Sequence, residues 1–269
     1  MSTLLAPTVV RTHPVMGTMA SVHVHDRVDA SEIDRAVNTV WDELDRLEAL
    51  LSTFRPTSAI SRINSGDLHL LDAGAEVIEV LDACTWLEHV SDGAFRARRP
   101  GGTAIDPAGF VKGWATELAA QCLDRAGLQQ WYLSVGGDIQ TRGVAGDGAP
   151  WRVAIADPNG ADDRAIRAIV EIAGEAVATS GTAARGRHLW DGRTDEQAYG
   201  LASMTVVGPH LTWADAFATT AFVMGLGGID WVTRFTGYRA LAVTLDGELV
   251  RRDEQWAQPT VSAVDGVSA

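Results

Sequence analysis

Ile105-Asp-Pro-Ala-Gly-Phe-Val-Lys-Gly113 sets an acid, two small residues, two glycines and a lysine between a predicted strand and a helix whose start is read at Lys112. The pattern suits an anion. Small residues let backbone N–H groups approach a phosphate, a helix start adds its positive dipole end, and Lys112 adds a full charge. It serves equally well as an ordinary strand-to-helix connection with a solvated lysine, and the rest of the chain has to decide between the two.

Around this stretch lie 269 residues, enough to bury a substantial core in one large domain or two small ones. Apolar residues make up 46% and charged residues 21%, the balance of a folded globular protein rather than a disordered one. The 22 basic and 35 acidic side chains give a formal charge of −13. Such a charge argues against nucleic acid or an anionic membrane surface as the principal partner. If phosphates are handled, it is at a local site, and a divalent cation becomes attractive against an acidic background. Cys84 and Cys122 fall at apolar helical positions without Cys-x-x-Cys spacing, as buried free thiols do in a reducing compartment. The first residues carry no basic leader, Pro7 breaks their short apolar run, and no stretch approaches a membrane span. A cytoplasmic protein without membrane insertion is expected.

Upstream, Met16 to His25 reads as a glycine-containing turn followed by a period-2 strand, with Ala20, Val22 and Val24 on one face. His23 and His25 share the other face, where they suit either a solvated edge or one metal ion aided by Asp26. Ser31 is read as the cap of an amphipathic helix through Leu51, stopped by Pro56, and a short helix is expected near Ser58. Phe54 beside Arg55 and several hydroxyls could hold an aromatic ligand. A second helix over 74–90 closes at Ser91-Asp-Gly93, before the arginines at 96, 98 and 99. Gly136-Gly137 follows a strand but is itself followed by a strand, so it is not a dinucleotide fingerprint; a bulge or a close backbone approach to a ligand explains it better.

Downstream, strands are expected at 151–156, 168–172, 176–179 and 202–208, then an apolar helix over 212–225 and a hairpin turning at Asp246-Gly247. The polar segment Ser180–His188 carries two arginines and a histidine suited to a phosphate ester. In the apolar helix Asp215 and Thr219 are spaced i, i+4, so their oxygens share a face. A buried Asp must be paired or bound to a cation, and a carboxylate plus a hydroxyl suits Mg²⁺. An exposed Asp in the first turn, with Thr219 bonding back along the helix, is the alternative.

Taken in order, Met16-Gly-Thr18, Ser52-Thr-Phe-Arg-Pro-Thr-Ser58, Ser91-Asp-Gly-Ala-Phe95, Asp106 to Gly113, Ser134-Val-Gly-Gly-Asp-Ile139, Ala178-Thr-Ser-Gly181 with His188, and Ala214-Asp-Ala-Phe-Ala-Thr219 resemble the ApbE family of flavin transferases. The resemblance implies an α+β fold, mixed sheets packed with helices, and a cofactor cleft between two halves. It implies a single domain over 1–258; residues 259–269 read from the sequence as a loose C-terminal tail. It also implies Mg²⁺-dependent transfer of FMN from FAD to a Thr or Ser hydroxyl of an acceptor protein, with release of AMP. FAD hydrolysis to FMN and AMP, or flavin carriage without catalysis, are the alternatives.

By motif position the resemblance assigns Asp215, Thr219 and the Gly109 carbonyl to Mg²⁺. It assigns Met16, Phe54, Ala94, Phe95, Asp106, Lys112, Gly136, Gly137, Ser180 and Trp190 to FAD, and His188 and Asp138 to proton transfer. The chain departs from the family pattern at Phe95-Arg-Ala-Arg98, Ser134 and His188 to Asp195, and the first two departures touch cofactor or acceptor surfaces.

Overall fold

The computed structural model describes residues 8–98, 100–158, 165–181 and 189–252, and the backbone of 261–263. Strands β1 (Val9–Val15) and β2 (Thr18–Val24) form a hairpin closed by Met16-Gly17, both with positive φ, 53° and 69°, as a two-residue turn matched to strand twist requires. In β2 the alternation foreseen from sequence holds: Ala20, Val22 and Val24 are buried. After them comes α1 (Ala30–Leu51), whose cap position is Asp29 rather than Ser31, so Ser31 lies within the first turn. The helix ends at Leu51, before Pro56 can act. There Ser52 Oγ accepts the N–H groups of Phe54 and Arg55 and turns the chain. Ser58 then caps α2 (Ala59–Ser65) through a bond from the Ser61 N–H.

A 3₁₀ turn at Leu70–Asp72 leads into α3 (Ala75–Val90). The next helix, α4 (Ala108–Arg125), begins a full turn earlier than the sequence reading placed it, because Asp106 Oδ1 accepts the Ala108 N–H and Pro107 tolerates the cap position. Lys112 therefore sits inside the helix, one turn in from its end. Strands β3 (Trp131–Val135) and β4 (Asp138–Arg142) are joined by Gly136-Gly137 with φ of 60° and 96°. This is a tight hairpin turn, so the bulge reading of the glycine pair is corrected.

Strands β5 (Trp151–Ala156), β6 (Ile166–Ile172) and β7 (Ala176–Gly181) follow, then the short pair β8 (Trp190–Asp191) and β9 (Glu196–Gln197), and β10 (Leu201–Gly208). Helices α5 (Leu211–Met224) and α6 (Gly227–Val232) precede β11 (Arg239–Thr244), β12 (Leu249–Arg251) and β13 (Val261–Ala263). Residues 261–263, inside the stretch read as a tail, thus pair with β6.

An antiparallel sheet of eight strands runs β1-β2-β3-β4-β7-β10-β11-β12. One face is covered by the helices, and the main core lies there, with Val40, Leu44, Leu87, Phe110, Leu133, Met204, Phe217 and Phe222 all buried. The other face carries the sheet β13-β6-β5 over a smaller core, in which Trp151, Val153, Ile155 and Val170 meet Val177, Val207 and Leu241. No helix among the described residues is long and apolar enough to cross a membrane.

Both cysteines are free thiols, Cys84 buried and Cys122 half-buried. Burial pushes the Cys84 thiol up to about 12. Cys84 is therefore expected to resist iodoacetamide at pH 8 in the native protein and to react fully in denaturant; mass spectrometry of alkylated peptides checks this.

Candidate functional site

Helices α4 and α5 cross at Gly113. A Cβ there would lie 2.6 Å from Asp215 Cβ and 2.8 Å from the Leu211 carbonyl oxygen, so only glycine permits the approach. The close packing seats Asp215, which is 3% exposed, against α4: Gly113 N–H donates to Asp215 Oδ2 at 2.8 Å, and Lys112 Nζ lies 3.0 Å from Oδ1. The alternative of an exposed, dipole-assisted aspartate is thereby set aside. In an α-helix the Gly113 N–H is the donor due to the carbonyl of Gly109. A carbonyl oxygen has two lone pairs, so the Gly109 carbonyl has acceptor capacity for an outside partner whether or not that N–H is shared with Asp215.

Lys112 is also paired with Asp138, the first residue of β4. The β4–β7 ladder ends at Ile139↔Val177, and beyond it the Asp138 carboxylate replaces the backbone: Oδ1 accepts the Thr179 N–H at 3.0 Å. Asp138 is 1% exposed. One ammonium against two carboxylates leaves this cluster a net charge of −1, in a setting where charge is poorly screened.

Thr219, one turn along α5 from Asp215, does not bond back to its own helix; its Oγ1 is 2.9 Å from Ser180 Oγ of β7. The Gly109 backbone closes on the same place, since a Cβ there would fall 3.4 Å from Thr219 Cγ2 and 3.1 Å from the Phe95 ring. Asp215, Thr219, Ser180 and the Gly109 carbonyl therefore form a hard-oxygen set with residual negative charge nearby, which fits Mg²⁺. Among the described residues no group of three or more His, Cys, Asp or Glu side chains suits a metal. A cation here would draw its remaining ligands from water or substrate.

These atoms open onto a cleft of about 1250 Å³, larger than the ~300–1,000 Å³ usual for a drug-sized ligand and suited to a dinucleotide. Its walls include Phe54, Ala94, Phe95, Asp106, Gly109, Lys112, Gly136, Gly137, Ser180, Trp190, Asp215 and Thr219. Twelve residues assigned from sequence, dispersed over 166 positions between Phe54 and Thr219, are thus brought to one cavity. Phe54 is 90% exposed and Trp190 42%, so each offers a ring face to a ligand. Arg96 and Arg98 stand on the same wall, Arg96 paired with Glu88 and Arg98 donating to the Thr103 carbonyl.

Met16 and Asp138 lie outside the lining. Met16 packs on the main core, but its hairpin abuts the glycine turn: Gly136 N–H donates to the Met19 carbonyl, and a Cβ at Gly136 would lie 3.1 Å from Thr18 Cγ2. His188 lies outside the described residues. The His23 and His25 pair takes no part: His25 Nδ1 accepts the Gly146 N–H, His23 stacks on Tyr132, and Asp26 accepts the N–H groups of Gln129 and Gln130.

Sequence reasoning missed Ser203 and Thr179. Both face the smaller core side of the sheet, where the cleft continues past Val177 and along β5. A bulge between Leu201 and Ser203 sends Leu201 into the main core and Ser203 to the opposite face. Thr179 bonds to Thr205, but Ser203 Oγ is buried with no hydrogen-bond partner among the described residues. An orphaned hydroxyl costs about 1–3 kcal/mol, which a ligand can recover. Ser203→Ala is expected to leave the unliganded unfolding midpoint unchanged or raised while weakening ligand binding about tenfold. Thermal unfolding with and without nucleotide measures both.

A family model described as the ApbE family matches residues 16–98 and 96–242. Among curated proteins, the FAD:protein FMN transferase of Escherichia coli K12 is 29% identical over 198 residues, covering 68% of this chain and 55% of that protein. That of Rhodobacter capsulatus is 33% identical over 171 residues, covering 60% and 32%. The chain thus spans about half the length, or less, of these curated relatives. The solved flavin transferase ApbE from Vibrio cholerae superposes with TM-score 0.77 at 21% identity, covering 93% of this chain and 99% of that one. The ApbE protein from Thermotoga maritima gives 0.80 at 22%, covering 92% and 98%. At such identities the likeness is one of fold, and that fold is mixed α+β.

Proposed function

Because this chain belongs to the ApbE family, we propose that it transfers FMN from FAD to a Ser or Thr hydroxyl of an acceptor protein, releasing AMP, with Mg²⁺ at Asp215, Thr219 and the Gly109 carbonyl. The observation that carries this reading is the convergence of Asp215, Thr219, Ser180 and Lys112 on a dinucleotide-sized cleft. Bound Mg²⁺ supplies charge that offsets the pyrophosphate oxygens and the negative charge growing on the leaving group.

The chain's own residues do the rest. Lys112, whose side chain is 21% exposed, brings a cation to the cleft from between Asp138 and Asp215. Phe54 and Trp190 hold planar rings, and Ala94, Phe95, Gly136 and Gly137 let the ligand lie against the backbone. The acceptor oxygen attacks the FMN phosphorus, the bond from that phosphorus to the bridging oxygen breaks, and AMP leaves with the electron pair. The hydroxyl proton passes to a base, for which we propose Asp138 or His188. Asp138 holds the Thr179 N–H on one oxygen and the Lys112 ammonium on the other, just behind the cleft lining. The free thiols of Cys84 and Cys122 support a cytoplasmic, reducing setting.

Incubation with FAD, Mg²⁺ and an acceptor carrying an Asp-x-x-Ser/Thr-Gly-Ala/Ser-Thr segment is expected to yield a covalently fluorescent acceptor band and stoichiometric AMP. AMP release with free FMN and no adduct would replace transfer by FAD hydrolysis. Tight FAD binding without AMP would leave a flavin carrier.

A further inference from the structure

Asp215 has two oxygens and both are engaged. Oδ2 takes the Gly113 N–H at 2.8 Å, and Oδ1 faces Lys112 Nζ at 3.0 Å. Oδ2 is turned to the α4 backbone, so a divalent cation arriving from the cleft meets Oδ1, beside the partly exposed Lys112, where the ammonium already sits. Two cations cannot share it without strong repulsion at low dielectric. Lys112 has a second berth, however. Asp138, anchored by the Thr179 N–H, binds the same ammonium from the β4 side.

We infer that Lys112 is a built-in counter-cation of the metal site. It neutralises Asp215 when no divalent ion is bound, and it withdraws onto Asp138 when one arrives. This rests on the assignment of Asp215 and Thr219 to the metal under the proposed function. The arrangement explains why two carboxylates are buried around one lysine: with Asp215 alone, displacement would strand the ammonium, and without Lys112 the unliganded site would hold two unpaired charges. It also turns metal arrival into a change at the cleft, since the displaced ammonium, already partly exposed, becomes available to an anionic substrate.

The inference makes two predictions of opposite sign. Lys112→Met keeps most of the stem volume and removes the competitor, so affinity for Mn²⁺ is expected to rise roughly ten- to a hundredfold, a typical coupling between two bound charges. Asp138→Asn keeps the Thr179 bond but removes the charge of the second berth, so Lys112 clings to Asp215 and Mn²⁺ affinity is expected to fall about tenfold. Residues with a packing role alone would weaken binding in both variants.

The test is titration of the EDTA-stripped full chain with Mn²⁺ in the absence of FAD, followed by electron paramagnetic resonance of the free ion. Thermal unfolding with and without Mn²⁺ is run alongside. If Lys112→Met folds only with Mn²⁺ present, that supports the inference; Lys112→Gln and Asp138→Asn decide it if Lys112→Met does not fold at all. Unchanged or weaker Mn²⁺ binding in the Lys112 variants, or undiminished binding in Asp138→Asn, overturns it. Since the titration contains no FAD, failure of FMN transfer in the separate assay with FAD and an acceptor would sink the proposed function and leave this result standing.

Discussion

Asp215→Ala is expected to reduce Mg²⁺-dependent release of AMP from FAD by about a hundred- to a thousandfold, the worth of one preorganised electrostatic partner in a buried site. The fold should survive. The substitution removes a buried carboxylate, but the ammonium it faced keeps Asp138 as partner, so no uncompensated charge is left behind. Chromatography of the products at rising Mg²⁺ gives the effect, and circular dichroism checks the fold. Undiminished turnover in Asp215→Ala would remove this residue from the metal site. Thr219→Ala should act in the same direction with a smaller effect, because a hydroxyl is the weaker ligand and Ser180 Oγ stands 2.9 Å from it.

Gly113→Ala is the substitution expected to cost most stability. On an exposed helix the same change gains about 1 kcal/mol. At the α4–α5 crossing the added methyl group would meet the Leu211 carbonyl at 2.8 Å and Asp215 Cβ at 2.6 Å, contacts that backbone and a seated side chain cannot relieve by rotating. Forcing the helices apart should cost about 3 kcal/mol, the upper part of the range for overpacked cores. It should also lengthen the Gly113 N–H bond to Asp215 Oδ2, so cation binding weakens along with the fold. Urea unfolding and Mn²⁺ titration of one preparation read both consequences. A variant as stable as the parent, with intact Mn²⁺ affinity, would show that the crossing is looser than this geometry.

The chain's local chemistry determined much of this architecture by itself. Period-2 alternation in β2 and helical spacing in α1 and α3 state their elements through side-chain pattern, because one face of each must leave water, and Asp246-Gly247 states its turn through the positive φ open to glycine. The residues now found around the cleft were marked by the order of motifs that resembles the ApbE family; alone, the glycines, the lysine and the i, i+4 pair of oxygens each read equally well as ordinary local structure. What the pattern did not determine is which charges meet. Lys112 was legible as a cation for phosphate, but its pairing with Asp138 and Asp215, 26 and 103 positions away, exists only because α4, α5 and the end of β4 converge. The start of α4 depended on one Asp106 side-chain bond rather than on periodicity, and the turn at Gly136-Gly137 on the pairing of the strands beside it. Ser203 carried no signal at all, because its direction is set by a bulge against β11, and a bulge is a property of two strands. Sequence settles which atoms a segment offers, since that depends on the segment alone. Only the tertiary structure decides which of them are left without a partner, since that depends on everything packed around them.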